Sequence, residues 1–186
     1  DTKEVSMEES FKEYFSRLNS YAEEKFGTRP TVVYTDSLNK ELLVSEPDED
    51  GEVEWEPKPM ITNIDWIELE RIFGFSICTE LKEYYSSYSF LMLYGKFGTS
   101  FLNFFPINAV EPVEISIKRA FDDAKEVFPD SQMFLIGNAT VNEDDNFFIF
   151  FDNKTNKLFC YDIENAKEIL LSYSIKKTID AMEARM

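Results

Sequence analysis

The chain predicts an α+β fold in a single domain, a central and largely antiparallel sheet with flanking helices. Three observations lead there. Apolar residues recur at helical spacing near both ends and three times between them. Between residues 133 and 161, short apolar runs alternate with turn-forming clusters. The 186 residues, 44% hydrophobic and 16% aromatic, are enough for one well-filled core, since a chain of this size buries about 70% of its extended surface on folding. No internal repeat and no Gly/Ser linker divides the chain, so residues 1–186 read as one domain.

In order, Phe11, Tyr14, Phe15, Leu18, Tyr21, Ala22 and Phe26 recur every three or four residues. They predict an amphipathic helix from Ser6 or Met7 to Phe26, ended by Gly27 and Pro30 and packed on the rest. Thr31 to Tyr34 is a short strand candidate and Leu42 to Val44 a weaker one. In SEPDEDGEVEWEPKP, residues 45–59, Asp50-Gly51 signals a turn, and Val53 and Trp55 alternate with Glu52, Glu54 and Glu56 as in a half-buried strand. This acidic segment is the one candidate for disorder. Ile64, Trp66, Ile67, Leu69, Ile72 and Phe73 then suit a short helix with Gly74 at its C-cap, followed by a second in which Thr79 supplies the N-cap oxygen and Leu81, Tyr84, Tyr85 and Tyr88 form the stripe. Phe90 to Tyr94 and Ser100 to Phe105 read as two strands around a turn containing Gly95 and Gly98. Val113 to Phe128 keeps helical spacing between Pro112 and Pro129. Strands are expected at Met133 to Ile136, Asn146 to Phe151 and Lys157 to Tyr161, the middle one covered on both faces because it is apolar throughout Phe147 to Phe151. Ser172 or Ser174 caps a final helix that turns Ile175, Ile179 and Met182 inward.

Charge and composition narrow the function. With 36 acidic and 19 basic residues the net charge is −17, which disfavours nucleic acid or an anionic membrane surface as ligand and favours a cationic partner. Cys78 and Cys160, far apart in apolar contexts, suit a reducing compartment, and no run of about twenty apolar residues suggests a span. The polar start DTKEVSMEES is unlike a secretory signal. A cytoplasmic location is expected, with a removed leader left open by the absent initiator methionine. The chain has no histidine, which removes Ser-His and Cys-His nucleophiles, His-containing zinc sites and imidazole bases together.

Two motif-like stretches fail on context. Glu46, Asp48, Asp50 and Gly51 have the first four spacings of a calcium loop, but its twelfth position, which needs a bidentate Glu, is Pro57. GKFGTS, residues 95–100, resembles a phosphate loop, yet its lysine precedes the second glycine and a strand follows. No metal or cofactor is therefore expected, and a non-enzymatic binding domain remains. The residues favoured for partner contact are Glu46, Asp48, Glu49, Asp50, Glu52, Glu54 and Glu56, with Asp144 and Asp145 as a second group. Each could equally serve as solvated surface charge.

A further signal lies in the order of short motifs: WEPKP (Trp55 to Pro59), ELERIFG (Glu68 to Gly74), a Tyr-rich helix, YGKFG (Tyr94 to Gly98), FLIGNA (Phe134 to Ala139), FDNKTNKLFCYD (Phe151 to Asp162) and SYSIKKTIDAM (Ser172 to Met182). This order, covering about Tyr34 to Met182, resembles the Syd family of SecY-interacting proteins. Syd belongs to the SUKH superfamily, with the Smi/Knr-type regulators of fungal glucan synthesis and many bacterial toxin-immunity proteins. The resemblance implies a curved sheet with flanking helices and a protein partner held on a concave or acidic face. It implies one of two roles: immunity, by blocking a toxin domain such as a nuclease, or binding of the basic cytosolic loops of the SecY translocon. The long acidic insertion around Asp48 to Glu54 departs from the SecY-binding pattern and favours immunity.

Overall fold

The computed structural model describes residues 4–186. The first helix, α1 (Met7–Phe26), begins where Ser6 Oγ accepts a hydrogen bond from the Glu9 N–H at 3.2 Å and ends at Gly27. Its stripe of Met7, Phe11, Tyr14, Phe15, Leu18 and Ala22 is buried, whereas Phe26 lies beyond it and is exposed. A strand β1 (Thr31–Val33) follows and pairs antiparallel with β2 (Glu52–Glu54), forming a small sheet of their own. β3 (Lys58–Pro59) pairs with β4 (Tyr88–Ser89); between them lie α2 (Trp66–Phe73) and α3 (Thr79–Ser87).

The main sheet has seven strands, each antiparallel to its neighbours. β5 (Leu93–Phe97) and β6 (Ser100–Phe104) form a hairpin, α4 (Val113–Val127) intervenes, and β7 (Met133–Val141), β8 (Asp144–Asp152), β9 (Leu158–Asp162) and β10 (Lys167–Ser172) make a meander. The chain then passes through α5 (Ile175–Ala181) to the opposite edge, where β11 (Glu183–Ala184) pairs with β5. The order is β10-β9-β8-β7-β6-β5-β11.

Period-two alternation in the apolar meander serves both faces of this sheet. Phe150 and Phe159, stacked at 5.8 Å, pack with Ala124 and Phe128 at the end of α4. Ile149, Phe151, Leu158 and Cys160, one residue out of phase, belong to the larger core that α1, α3 and α5 close. The Tyr14 hydroxyl of α1 fixes that closure by donating to the Tyr94 carbonyl and accepting from the Tyr94 N–H at 2.9 Å, so one side chain completes the backbone bonding of β5.

Several expectations are corrected. Leu42 to Val44 is not a strand: Lys40–Leu42 is a 3₁₀ turn capped by the Asn39 side chain, which accepts from Glu41 N–H, and Leu43 only bridges Trp55. Thr79 is not an N-cap but the first helical residue. Cys78 occupies the cap position without a side-chain bond, and Asn153, from the turn between β8 and β9, supplies the oxygen instead, accepting from Cys78 N–H at 2.7 Å. The first strand of the β5–β6 hairpin runs from Leu93 through Gly95 to Phe97 rather than from Phe90 to Tyr94. Gly95 sits inside it because β11 approaches so closely that a Cβ there would lie 2.4 Å from the Glu183 carbonyl oxygen; Gly98, at φ 60°, is the turn residue. Of the apolar positions that marked α2, Leu69 is buried and Ile67 and Ile72 are exposed. β7 continues past Ile136 to Val141, and only Asn142-Glu143, both at positive φ, turn the chain. Asp144 and Asp145 therefore lie on β8, not in a connector. The acidic segment is ordered, and β3, β4, β10 and β11 were not anticipated.

Candidate functional site

The acidic segment is a hairpin built on β1 and β2. Asp48 organises its turn: its Oδ1 accepts from the backbone N–H groups of Asp50 and Glu52, both at 2.9 Å, while its carbonyl accepts from Gly51 N–H at 3.1 Å. Short carboxylates favour this local bonding, and Gly51 supplies the positive φ of 76°. Ser45 Oγ accepts from Glu54 N–H at 2.9 Å, and Tyr34 N–H donates to the Gly51 carbonyl at 2.8 Å, tying the turn to both flanks. Inward, Val53 and Trp55 are buried, as the alternation predicted.

The seven carboxylates of this hairpin divide into two kinds. Glu52 accepts from Thr31 Oγ1 at 3.1 Å and Glu54 from Arg29 N–H at 3.2 Å. Glu56 pairs with Lys58 and Arg29, each at 2.9 Å, and those two cations, Lys58 foremost, hold its carboxyl below the usual range. Asp48 is committed to the turn. The side chains of Glu46, Glu49 and Asp50 are exposed and make no hydrogen bond or ion pair among the described residues. A polar depression of about 660 Å³ adjoins the hairpin, lined by Asn19 and Glu23 of α1 together with Arg29, Glu54 and Glu56. Trp55 also lines it, with its indole nitrogen buried and unpartnered.

Asp144 and Asp145 belong to the seven-stranded sheet instead. Asp144 Oδ1 accepts from Asn146 N–H at 3.0 Å and Asp145 Oδ1 from Thr140 Oγ1. After burial, the Asp145 charge is the next cause raising the Tyr94 phenol. No hydrogen bond or ion pair among the described residues joins the two acidic groups.

Reading by sequence missed a second concave feature. A largely apolar cavity of about 450 Å³ lies where α3, α4 and β7 meet the connection after β6, with Glu111, Arg119 and Asp123 among its lining residues. Arg119 and Asp123 stand one helical turn apart in the sequence, a weak signal of a shared face. Glu111 is joined to them only by the fold.

Among the described residues, no group of three or more Cys, Asp or Glu is arranged to hold a metal ion, and no helix is long and apolar enough to cross a membrane. No protein-family model matches the chain, and no curated protein matches it.

Proposed function

We propose that this chain is a non-enzymatic, cytoplasmic protein-binding domain that captures a cationic protein on its acidic hairpin, and that it acts as an immunity protein by neutralising a toxin domain such as a nuclease. The observation that carries this reading is the set of free carboxylates on a fixed turn: Glu46, Glu49 and Asp50 are exposed and unpaired on a backbone pinned by Asp48, Ser45 and Tyr34. A backbone already held in place loses little loop freedom when a partner docks, so more of the Coulombic gain is kept. The depression that adjoins the hairpin carries two further carboxylates, Glu23 and Glu54.

The surrounding field assists. A net charge of −17 steers a cationic domain toward the surface and raises association rates by about 10- to 10³-fold. A nuclease grips phosphates with Lys and Arg, and a row of carboxylates meets the same groups. The resemblance to the Syd and SUKH proteins supports a protein partner. Asp144 and Asp145, engaged elsewhere on the main sheet, are secondary in this proposal.

The test is affinity capture from the native host at low salt, using the wild type and the variant Glu46→Gln/Glu49→Gln/Asp50→Asn, with retained proteins identified by mass spectrometry. Recovery of a basic toxin domain by the wild type alone, followed by rescue of toxin-expressing cells on co-expression, is the expected outcome. Recovery of SecY in the same hairpin-dependent way would replace immunity by translocon binding. Equal recovery by both proteins would remove the hairpin from the account.

A further inference from the structure

The apolar cavity beside α4 touches β1 through Val32 but is lined by none of the acidic segment's carboxylates, and it has the properties of a ligand site in its own right. Its volume of about 450 Å³ falls within the range of about 300–1,000 Å³ typical of small-molecule pockets. Leu91, Leu135, Ile136 and Tyr85 supply apolar wall.

Polar groups are few and specifically disposed. Arg119 grips Glu111 with two bonds, Nη1 to Oε1 at 2.7 Å and Nη2 to Oε2 at 2.6 Å, and Ser116 Oγ donates to the same Oε1 at 2.9 Å. Guanidinium and carboxylate thereby neutralise each other. Asp123, exposed and without an ion pair among the described residues, leaves the lining with one uncompensated negative charge. Phe105 and Val110, 37% and 56% exposed, add apolar surface to the lining.

We propose that this cavity binds a small amphipathic amine, its apolar body against Leu135 and Ile136 and its ammonium end meeting Asp123. Cationic selectivity follows because a carboxylate end would have to displace Glu111 from Arg119 and also face Asp123. A neutral end would leave Asp123 solvated and gain nothing.

The experiment titrates wild-type protein by calorimetry with n-octylamine, n-octanol and n-octanoate below their aggregation limits, and records intermolecular nuclear Overhauser effects from the octyl chain. Octylamine should bind saturably and roughly fivefold tighter than octanol, the worth of one solvent-facing charge pair at about 4 Å. Octanoate should bind most weakly, and the cross-relaxation should fall on the Leu135 and Ile136 methyls. In Asp123→Asn, a change at an exposed helix position, the amine should lose its advantage while octanol affinity stays unchanged. Absence of saturable binding, cross-relaxation to residues outside the cavity, octanoate binding as tightly as octylamine, or an amine preference that survives Asp123→Asn would each overturn the proposal. Neutralising Glu46, Glu49 and Asp50 should leave octylamine binding intact, so failure here is separable from failure of the hairpin reading.

Discussion

Replacing Asn153 by alanine removes three hydrogen bonds from one nearly buried amide. Its Oδ1 accepts from Cys78 N–H at 2.7 Å, and its Nδ2 donates to the Ser76 carbonyl at 2.9 Å and to Gln132 Oε1 at 2.8 Å. These bonds join the start of α3 to the turn between β8 and β9 and the segment leading into β7, three parts of the chain far apart in sequence. Each net bond contributes about 1 kcal/mol, and the alanine removes the partner of the Cys78 N–H, the Ser76 carbonyl and the Gln132 amide oxygen together. A loss of about 3 kcal/mol follows. In a chain of this length that lowers Tm by roughly 6–12 °C, readable by calorimetry and by urea unfolding. Asn153→Asp should fall between the two proteins: it keeps the acceptor for Cys78 N–H and adds a negative charge at the positive end of α3, but it loses both donations. An alanine variant within about 1 kcal/mol of wild type, or an aspartate variant no better than alanine, would refute the assignment of Asn153 as the remote cap of α3.

Tyr14→Phe should destabilise by about 1–3 kcal/mol, because the Tyr94 N–H is left buried without its acceptor; unchanged hydrogen-exchange protection of that amide would contradict the bridging role. Gly95→Ala forces a Cβ to within 2.4 Å of the Glu183 carbonyl oxygen, so β11 should detach at a cost of about 1–3 kcal/mol, seen as fast exchange of the Arg185 amide that otherwise donates to Tyr94; retained protection would show that the edge yields without losing the pairing. Asp162 accepts from the side chain and backbone N–H of Asn165 and from Glu164 N–H, and those bonds, the Asn165 side chain first, hold its carboxyl below the ordinary aspartate range. A depressed folded-state pKa gives stability that is present above the unfolded value and lost as pH falls through the folded one. The stability gap between wild type and Asp162→Asn should therefore be constant near neutrality and close below about pH 4; a gap independent of pH would exclude ionic bonding there.

What the sequence disclosed was whatever local chemistry decides. α1 was readable because its stripe, the Ser6 cap and Gly27 all lie within one segment, and α5 because Ser174 and Ile175, Ile179 and Met182 do likewise. The acidic hairpin was readable as far as Val53 and Trp55 inside and Glu52 and Glu54 outward. What sequence could not disclose depends on distant partners. The cap of α3 comes from Asn153, and Gly95 looked like a turn residue because the strand that crowds it arrives nearly ninety residues later. β10 lies at the sheet edge with half-exposed residues and so lacks the apolar run that marked β8. Within the acidic set, charge alone did not distinguish Asp48, which shapes the turn, or Glu56, paired with Arg29 and Lys58, from Glu46, Glu49 and Asp50. The cavity lining belongs to α3, α4 and β7 together, a juxtaposition with no motif.

The most direct test of the central claim is the association rate of the recovered cationic partner with the wild type and with Glu46→Gln/Glu49→Gln/Asp50→Asn, measured by stopped flow at low and high salt. All three substitutions leave the Asp48 turn intact. The account predicts slower association of the variant at low salt, a difference that shrinks as salt screens the exposed charges, and little change in dissociation. Equal association rates at low salt would contradict it.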